Sequence, residues 1–141
     1  MAGQYTYSSK QVSIIAGVAE IKGYGDGDFV SIEMVEDAFT PISGADGEVT
    51  WSQNPSTLST VTITLMSSSP SNDVLSAIHL ADRQTGLGTF PLFVKDNSGR
   101  DLFISDAARI IKMATITKGK EVGSREWTIS AANSQMFTGG N

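Results

Sequence analysis

The sequence contains no cysteine, one histidine and only four prolines among its 141 residues. Without cysteine there can be no disulfide framework, no thiolate nucleophile and no cysteine metal site, so the fold depends on packing or on association. No apolar run approaches the roughly 20 residues that a membrane-spanning helix needs, and the first residues lack a basic segment followed by an apolar one. The sequence therefore predicts neither export nor insertion into a membrane.

Recognisable catalytic motifs are also missing. His79 has no predictable ligand partner, and we interpret it as a surface or half-buried helix residue. No serine lies in a Gly-x-Ser-x-Gly elbow, and there is no Gly-Lys-Ser/Thr phosphate loop. Glu36 and Asp37 are adjacent, so in a strand their side chains point to opposite faces and cannot share a proton. We predict a protein that is not an enzyme and that needs no metal or cofactor.

Charge is distributed unevenly along the chain, whose net charge is −5. Residues 23–82 contain nine acidic residues and no lysine or arginine, whereas the rest contains all ten basic residues and six acidic ones, giving −9 and +4. Two interpretations remain open: a chance grouping of solvated charge, or complementary faces of a self-assembling subunit. Specific binding of nucleic acid is disfavoured because the longest segment of one charge is acidic.

One helix is predicted, within residues 67–86. Ser71 or Asn72 can cap its first turn, and Gly86 follows as a stop signal. A narrow apolar stripe, which we expect to pack on a sheet, includes Val74, Leu75 and Ile78. A helix with one apolar stripe needs a sheet to lie on. The sequence therefore predicts a single domain over residues 1–141 that is mainly β, a sandwich or barrel, with one flanking α-helix.

The clearest strand is predicted at residues 59–66. Its inward face has Val61, Ile63 and Leu65, and its outward face has Thr60, Thr62 and Thr64. The threonine face could lie in water or beside a strand of another subunit. Pro91 places a further strand at or along a sheet edge. The other predicted strands are 12–19, 29–36, a hairpin of 90–95 with 102–105, 108–117 and 126–131.

Residues 37–56 are predicted to be a long loop with a hairpin-like break at 45–47. Loops of this length are uncommon in compact domains unless they are functional or disordered. The loop contains Phe39, Ile42 and Trp51, and large apolar side chains are typical of a surface that contacts a partner. Packing of these side chains on the chain's own core is the alternative. A flexible C-terminal tip is predicted at 138–141.

Short matches spread over essentially the whole chain resemble the tail tube subunits of contractile-tailed bacteriophages. The matching stretches are Tyr7-Ser8, 36–40 (Glu-Asp-Ala-Phe-Thr), 44–50 (Gly-Ala-Asp-Gly-Glu-Val-Thr), 69–77, 90–92 (Phe-Pro-Leu), 94–96 and 125–129 (Arg-Glu-Trp-Thr-Ile). No single stretch identifies the family, but their order is specific. Trp51 and Gln53 depart from the resemblance, which predicts smaller or basic residues there.

This resemblance implies a β-sandwich with a flanking helix, six copies of which form a ring with one continuous inner barrel. Rings stack into a tube inside a contractile sheath. The implied partners are further copies of the chain and the sheath, baseplate and tail terminator proteins. DNA passes through the lumen, no membrane is involved, and the subunit is made in the host cytoplasm and located in the virion tail.

The resemblance also implies two kinds of contact between subunits. Contacts to the adjacent ring come from the loop and the residues just before it: Glu36, Asp37, Phe39, Asp46, Glu48 and Trp51. The strand at 59–66, with Thr60, Thr62 and Thr64, is an edge closed by a neighbouring subunit. Two alternatives remain: a monomeric β-sandwich that binds a ligand through the same loop, and a baseplate or secretion-tube component of the same fold.

Overall fold

The computed structural model describes residues 7–25 and 27–140. In these two ranges, a short 3₁₀ turn at Ser9–Gln11 precedes nine strands and one α-helix. The elements are β1 (Val12–Ala16), β2 (Ala19–Ile21), β3 (Val30–Met34), β4 (Phe39–Ser43), β5 (Val49–Gln53), β6 (Ser59–Met66), α1 (Ser71–Thr85), β7 (Phe90–Asp96), β8 (Leu102–Lys112) and β9 (Ser124–Phe137). The prediction of a mainly β fold with one helix is confirmed. Asn141, the last residue of the predicted flexible tip, lies outside the described residues.

Seven strands form one antiparallel sheet in the order β2-β1-β7-β8-β9-β6-β3. The sheet is strongly curved, and the segment just after β2 hydrogen-bonds to β6. There Tyr24 pairs with Leu65. The Gly25 N–H donates to the Thr64 carbonyl at 2.9 Å, and the Met66 N–H donates to the Gly23 carbonyl at 2.8 Å. The chain that follows β2 therefore contacts the C-terminal end of β6, beyond the part of β6 that pairs with β3.

The core lies on the inside of the curled sheet. Alternation along β6 buries Val61, Ile63 and Leu65 completely, as expected for a strand with one face toward the core. The largest buried side chains on neighbouring strands are those of Trp127 and Phe103. The remaining inner surface is shared between the long β8 and β9 and the strands β1, β2 and β7, each of which adds buried apolar side chains.

The helix packs on the sheet with a face that overlaps the predicted apolar stripe but is rotated away from Val74. Its buried residues are Ser71, Leu75, His79 and Asp82, which recur at helical spacing. Leu75 is fully buried and Ile78 packs partly against the core, whereas Val74 is 37% exposed. The prediction that Val74 packs against the sheet is therefore wrong. Three polar residues lie in the buried face, and a search for apolar periodicity does not assign them there.

The N-terminus of the helix also differs from the prediction, whereas its C-terminus agrees with it. Pro70 occupies the N-cap position without a side-chain cap, while Ser71 accepts a hydrogen bond from the Lys22 N–H at 2.8 Å. Asn72 turns backward and donates to the carbonyls of Met66 and Ser69. At the other end Gly86 adopts the predicted left-handed stop, with φ of 70°.

Two strands expected at sheet edges are interior. β6 pairs with β3 on one side and β9 on the other, so the strand of Thr60, Thr62 and Thr64 has no free edge. β7 pairs with β1 and β8, and Pro91 is accommodated there at a register shift between Phe90 and Leu92. A bulge tolerates proline because its missing N–H is not needed for the ladder. Whether β6 and β7 are interior depends on which strands lie beside them in the sheet, and local sequence pattern does not contain that information.

The end of the chain is tied to the β7–β8 turn as far as it is described. The Gly139 N–H donates to the Asp101 carboxylate at 2.8 Å, and the Arg100 N–H donates to the Gly140 carbonyl at 3.1 Å. Gly139 and Gly140 thus each have a hydrogen-bond partner at this turn, within the segment that the sequence predicts to be a flexible tip.

Candidate assembly surface

The segment predicted as a long loop forms a second, two-stranded sheet of β4 and β5. Its turn has a defined hydrogen-bond pattern: the Gly44 N–H donates to the Glu48 carbonyl at 2.7 Å. The Asp46 carboxylate accepts from the Glu48 N–H at 3.3 Å, and Gly47 takes a positive φ of 88°. Glycine and aspartate favour such a turn, and β-branched residues in both strands favour extension on either side.

The base of this hairpin is closed by side-chain and backbone contacts. The Asn54 N–H donates to the Ala38 carbonyl at 2.8 Å, and its side-chain amide donates to the Glu36 carboxylate. Just below, the Val35 N–H donates to the Leu58 carbonyl at 3.0 Å, which continues the β3–β6 pairing. The hairpin is therefore joined to the end of the main sheet where β3 ends and β6 begins.

Every residue of β4 and β5 is exposed, so the hairpin has no buried face in the chain. Its register places Phe39, Pro41, Val49 and Trp51 on one face, with Thr40, Ile42, Thr50 and Ser52 on the other. Phe39 is 54% exposed and Trp51 64%. Isolated two-stranded hairpins are marginally stable in water, and contiguous exposed apolar side chains mark interaction sites. The first face, which we call the aromatic face, is suited to a partner.

Acidic residues frame the aromatic face. Glu36 and Asp37 lie at the base of the hairpin, and Asp46 and Glu48 lie in or beside its turn. No lysine or arginine occurs in residues 36–54, so this segment has a net charge of −4. The structure thus brings together on one hairpin all six residues that the sequence analysis assigned to contacts with an adjacent ring.

The threonines of β6 do not belong to this surface. Their backbone is paired on both sides, and their side chains are half-buried on the outer face of the main sheet. The strands at the ends of the sheet order are β2 and β3, each hydrogen-bonded to one neighbouring strand. The sequence analysis did not identify β2 and β3 as the edge strands. The one available signal is on β3, where Ser31 and Glu33 alternate with half-buried apolar residues, as is common on edge strands.

A cleft of about 360 Å³ opens along the seam where the curled sheet is not closed. Its apolar lining includes Phe29, Ile32, Phe103 and Met136. Tyr24 stacks on Phe29 nearby, with ring centroids 4.4 Å apart. Burial raises the pKa of the Tyr24 phenol, the negative charge of Glu20 raises it further, and a backbone hydrogen bond at Ile14 opposes the shift. The cleft is large enough for a small ligand, and its lining also includes the acidic residues Asp28, Asp96 and Asp101.

His79 is buried, which corrects its interpretation as a surface or half-buried residue. Its Nδ1 lies 3.0 Å from the Ile110 carbonyl of β8. One turn further along the helix, Asp82 pairs with Arg109 at 2.9 Å and accepts from the Gly88 N–H. These polar residues attach the helix to the sheet.

Two further kinds of feature that could indicate a function are a metal-binding cluster and a membrane-spanning helix. Within residues 7–25 and 27–140, no three histidine or acidic side chains are grouped so that they could hold a metal ion. No helix in those same ranges has both the length and the apolar character needed to cross a membrane. Three surface features of the described residues could contact a partner or ligand: the hairpin, the outer edges of β2 and β3, and the cleft lined by Phe29 and Phe103.

A one-helix antiparallel fold of this kind occurs in proteins of contractile injection tubes. The anti-feeding prophage cap that terminates the AFP tube aligns with a TM-score of 0.65 and 11% identity, over 98% of this chain and 95% of that one. The PVC sheath/tube terminator, from an extracellular contractile injection system, aligns with a TM-score of 0.61 and 11% identity, over 97% and 100%. The structure of the PVC sheath-tube complex contains a chain that aligns with a TM-score of 0.57 and 12% identity, over 95% and 93%. At these identities the likeness concerns the fold.

The chain belongs to the bacteriophage PhiTE tail tube protein family, whose model matches residues 5–139. It is also 35% identical over 150 residues to the structural protein ORF10 of Pseudomonas phage KPP10, covering 100% of this chain and 87% of that protein. The resemblance to phage tail tube proteins stated from the sequence is therefore confirmed.

Proposed function

We propose that this chain is a structural subunit of a bacteriophage tail tube, that it forms stacked hexameric rings, and that DNA passes through their lumen during ejection. The observation that carries the proposal is a hairpin with an uncovered aromatic face on a chain of a tail tube family. A subunit that worked alone would gain nothing from leaving this face in water.

Within a ring, the free edges of the main sheet provide the contact. β2 of one copy and β3 of the next have unpaired backbone groups along their outer edges, and pairing them would join six sheets into a continuous layer. This assignment replaces the expectation for β6, whose Thr60, Thr62 and Thr64 remain on the sheet surface. Closed pairing also removes the aggregation hazard of an open strand edge.

Between rings, the hairpin makes the contact. Its aromatic face would supply buried anchors, with Phe39 and Trp51 as the side chains of hot-spot type. Sheath, baseplate and tail terminator proteins are the further partners of such a tube, and its location is the virion tail after synthesis in the host cytoplasm. The role is architectural and requires neither catalysis nor a cofactor.

Negative-stain electron microscopy over a concentration series, paired with mass by light scattering, tests this proposal. We expect rings or hollow tubes above a critical concentration. Charge reversal of both Asp46 and Glu48 should impair tube growth while circular dichroism and the unfolding transition stay those of the wild type. If this variant forms normal tubes, the hairpin does not contribute to the contact between rings.

A second candidate function rests on the seam cleft, whose size is suited to a small ligand. In that case the chain would be a monomeric binding module with one subunit mass at every concentration. In a thermal-shift screen, a small ligand that binds the cleft should then raise the unfolding temperature of the chain. Tubes without ligand binding would reject this candidate.

A further inference from the structure

The surface left unassigned is the segment from the end of β8 to the start of β9, residues 112–125, which we call the basic connection. It carries four basic residues and one acidic residue, for a net charge of +3: Lys112, Lys118, Lys120, Arg125 and Glu121. Lys118 and Lys120 are exposed. Two apolar side chains are exposed there as well, Ile116 at 75% and Val122 at 68%. The segment therefore combines positive charge with uncovered apolar surface.

A cleft of about 410 Å³ lies between the basic connection and the start of α1. Its apolar walls include Met113, Ile116 and Trp127, and its rim includes the serines of residues 67–69. Arg125 lines it and is held in place, since its guanidinium donates to the Thr115 carbonyl at 3.1 Å. Asp73 is an acidic residue in the same wall. The cleft gives the basic connection a concave, partly apolar neighbour.

The basic connection and the hairpin are placed at opposite ends of β6. The hairpin leaves the sheet where β6 begins, and the basic connection lies where β6 ends, because the Ser67 N–H donates to the Gly123 carbonyl at 3.0 Å and Leu65 pairs with Arg125. Eight residues of strand separate these ends by about 26 Å. The two surfaces are thus arranged to meet between copies.

We propose that the basic connection of one copy receives the hairpin of a second copy. The carboxylates of Asp46 and Glu48 face Lys118 and Lys120, and the aromatic face enters the cleft beside α1. Charges of −4 and +3, exposed apolar side chains on both sides, and a protruding element opposite a concave one support this pairing. Because the two surfaces differ, the contact is head-to-tail, and because they lie at opposite ends of β6 it can repeat along a stack of copies. The inference rests on the proposed tube function and names the receiving surface.

A charge-exchange experiment tests the pairing directly. The hairpin variant combines Asp46→Asn, which keeps the acceptor for the Glu48 N–H, with Glu48→Lys. The receiving variant combines Lys118→Glu with Lys120→Glu. We expect each to raise the critical concentration for tube growth about tenfold or more, since several weak exposed ion pairs act together in one stacked ring. A variant with all four changes should recover growth to within about threefold of the wild type.

The outcomes separate this inference from the proposed function. Recovery in the four-fold variant supports the pairing. If only the hairpin variant is impaired, or if the four changes do not compensate, the receiving surface lies elsewhere, although tube formation itself stands. If the wild type forms no assembly, the proposed function fails and the inference with it. Arg83→Glu, on the exposed side of α1, is the matched control and should assemble like the wild type.

Disulfide trapping gives a second test, which the cysteine-free chain makes clean. In the variant Glu48→Cys with Lys118→Cys, the two thiols belong to opposite ends of one copy, so an internal bond requires distortion. Oxidation above the critical concentration should give a ladder of linked copies in denaturing gels. Each single cysteine variant should give at most dimers. A ladder no stronger than that from a Glu48→Cys and Lys10→Cys pair would overturn the inference.

Discussion

Truncation of Trp51 to alanine tests whether the aromatic face of the hairpin holds rings together. The side chain is 64% exposed in the single chain, so about two thirds of its surface is available to a partner. Aromatic side chains bury about 150–250 Å² when fully covered, so docking would remove about 100–160 Å² from water. At about 25 cal/mol per Å² this corresponds to about 2.5–4 kcal/mol per contact, which is the hot-spot range.

The effect on assembly should be larger than the effect of one contact. In the proposed ring each added layer makes the same contact six times, and each 1.4 kcal/mol is about a factor of ten in an equilibrium constant. Even if only a fraction of each contact is lost, the critical concentration should rise by about a hundredfold or more. The free energy of unfolding of the single chain should change by less than about 0.5 kcal/mol, because the side chain is not part of the core.

Light scattering over a dilution series measures the critical concentration, and denaturant unfolding below that concentration measures the fold. Leu87→Ala is the matched control, since Leu87 is an exposed apolar residue just beyond the helix. Ile42→Ala, on the opposite face of the hairpin, reports whether the contact is confined to the aromatic face. A critical concentration within twofold of the wild type for Trp51→Ala would refute this account of the hairpin.

Three further predictions concern the fold. Leu75→Ala should cost about 2–5 kcal/mol in the free energy of unfolding because Leu75 is fully buried, while Val74→Ala should cost under about 1 kcal/mol; equal costs in chemical denaturation would contradict the observed rotation of the helix. Trp127→Phe should cost about 1–3 kcal/mol, as the indole N–H donates to the Asn72 side chain at 2.9 Å, and an unchanged denaturation midpoint would argue against that bond. The Tyr24 pKa is raised by folding, so stability is intact below the ordinary value of 10.0 and falls as the pH rises through the folded pKa. The Tyr24→Phe variant should lose less stability than the wild type between pH 9 and pH 11, and parallel pH profiles would exclude this contribution.

Much of the fold follows from local sequence pattern. β6 alternates so strictly that its buried and half-buried residues match the predicted faces, and the helix stops at Gly86 as predicted. The hairpin of β7 and β8 also follows from two apolar stretches around a polar turn. In each case the deciding interaction is between residues near one another in the chain.

The mistaken expectations depend on distant residues. Whether a strand is an edge depends on which strands flank it. β6 is interior because it pairs with β3, which precedes it, and because the chain returns about sixty residues later as β9. His79 can be buried because its Nδ1–H donates to the carbonyl of Ile110 on β8, thirty-one residues further along the chain. Neither fact can be read from a window of local sequence.

The sequence predicts which residues of the 37–56 segment contact a partner, and that stays a prediction, but it does not indicate the regular strand pairing of that segment. Phe39 and Trp51 were identified because large apolar side chains in a long segment without core periodicity indicate a partner. The regular pairing of β4 with β5 was missed because strands without a buried face show no strong alternation of polarity. A hairpin with both faces exposed leaves only a weak signal in sequence, although its turn residues are clear.

The two proposed contacts, one within a ring and one between rings, depend on different interactions. Pairing of β2 with β3 uses backbone hydrogen bonds, which depend little on side-chain identity or salt, whereas the hairpin contact depends on charge and on a few apolar side chains. Substitutions in residues 36–54 and 112–125 can therefore alter the affinity between rings while the ring itself is preserved. In the proposed pairing these two segments, which lie at opposite ends of β6, contact each other between copies. A change in one would then be compensated by a change in the other, and the contact would give the tube one direction.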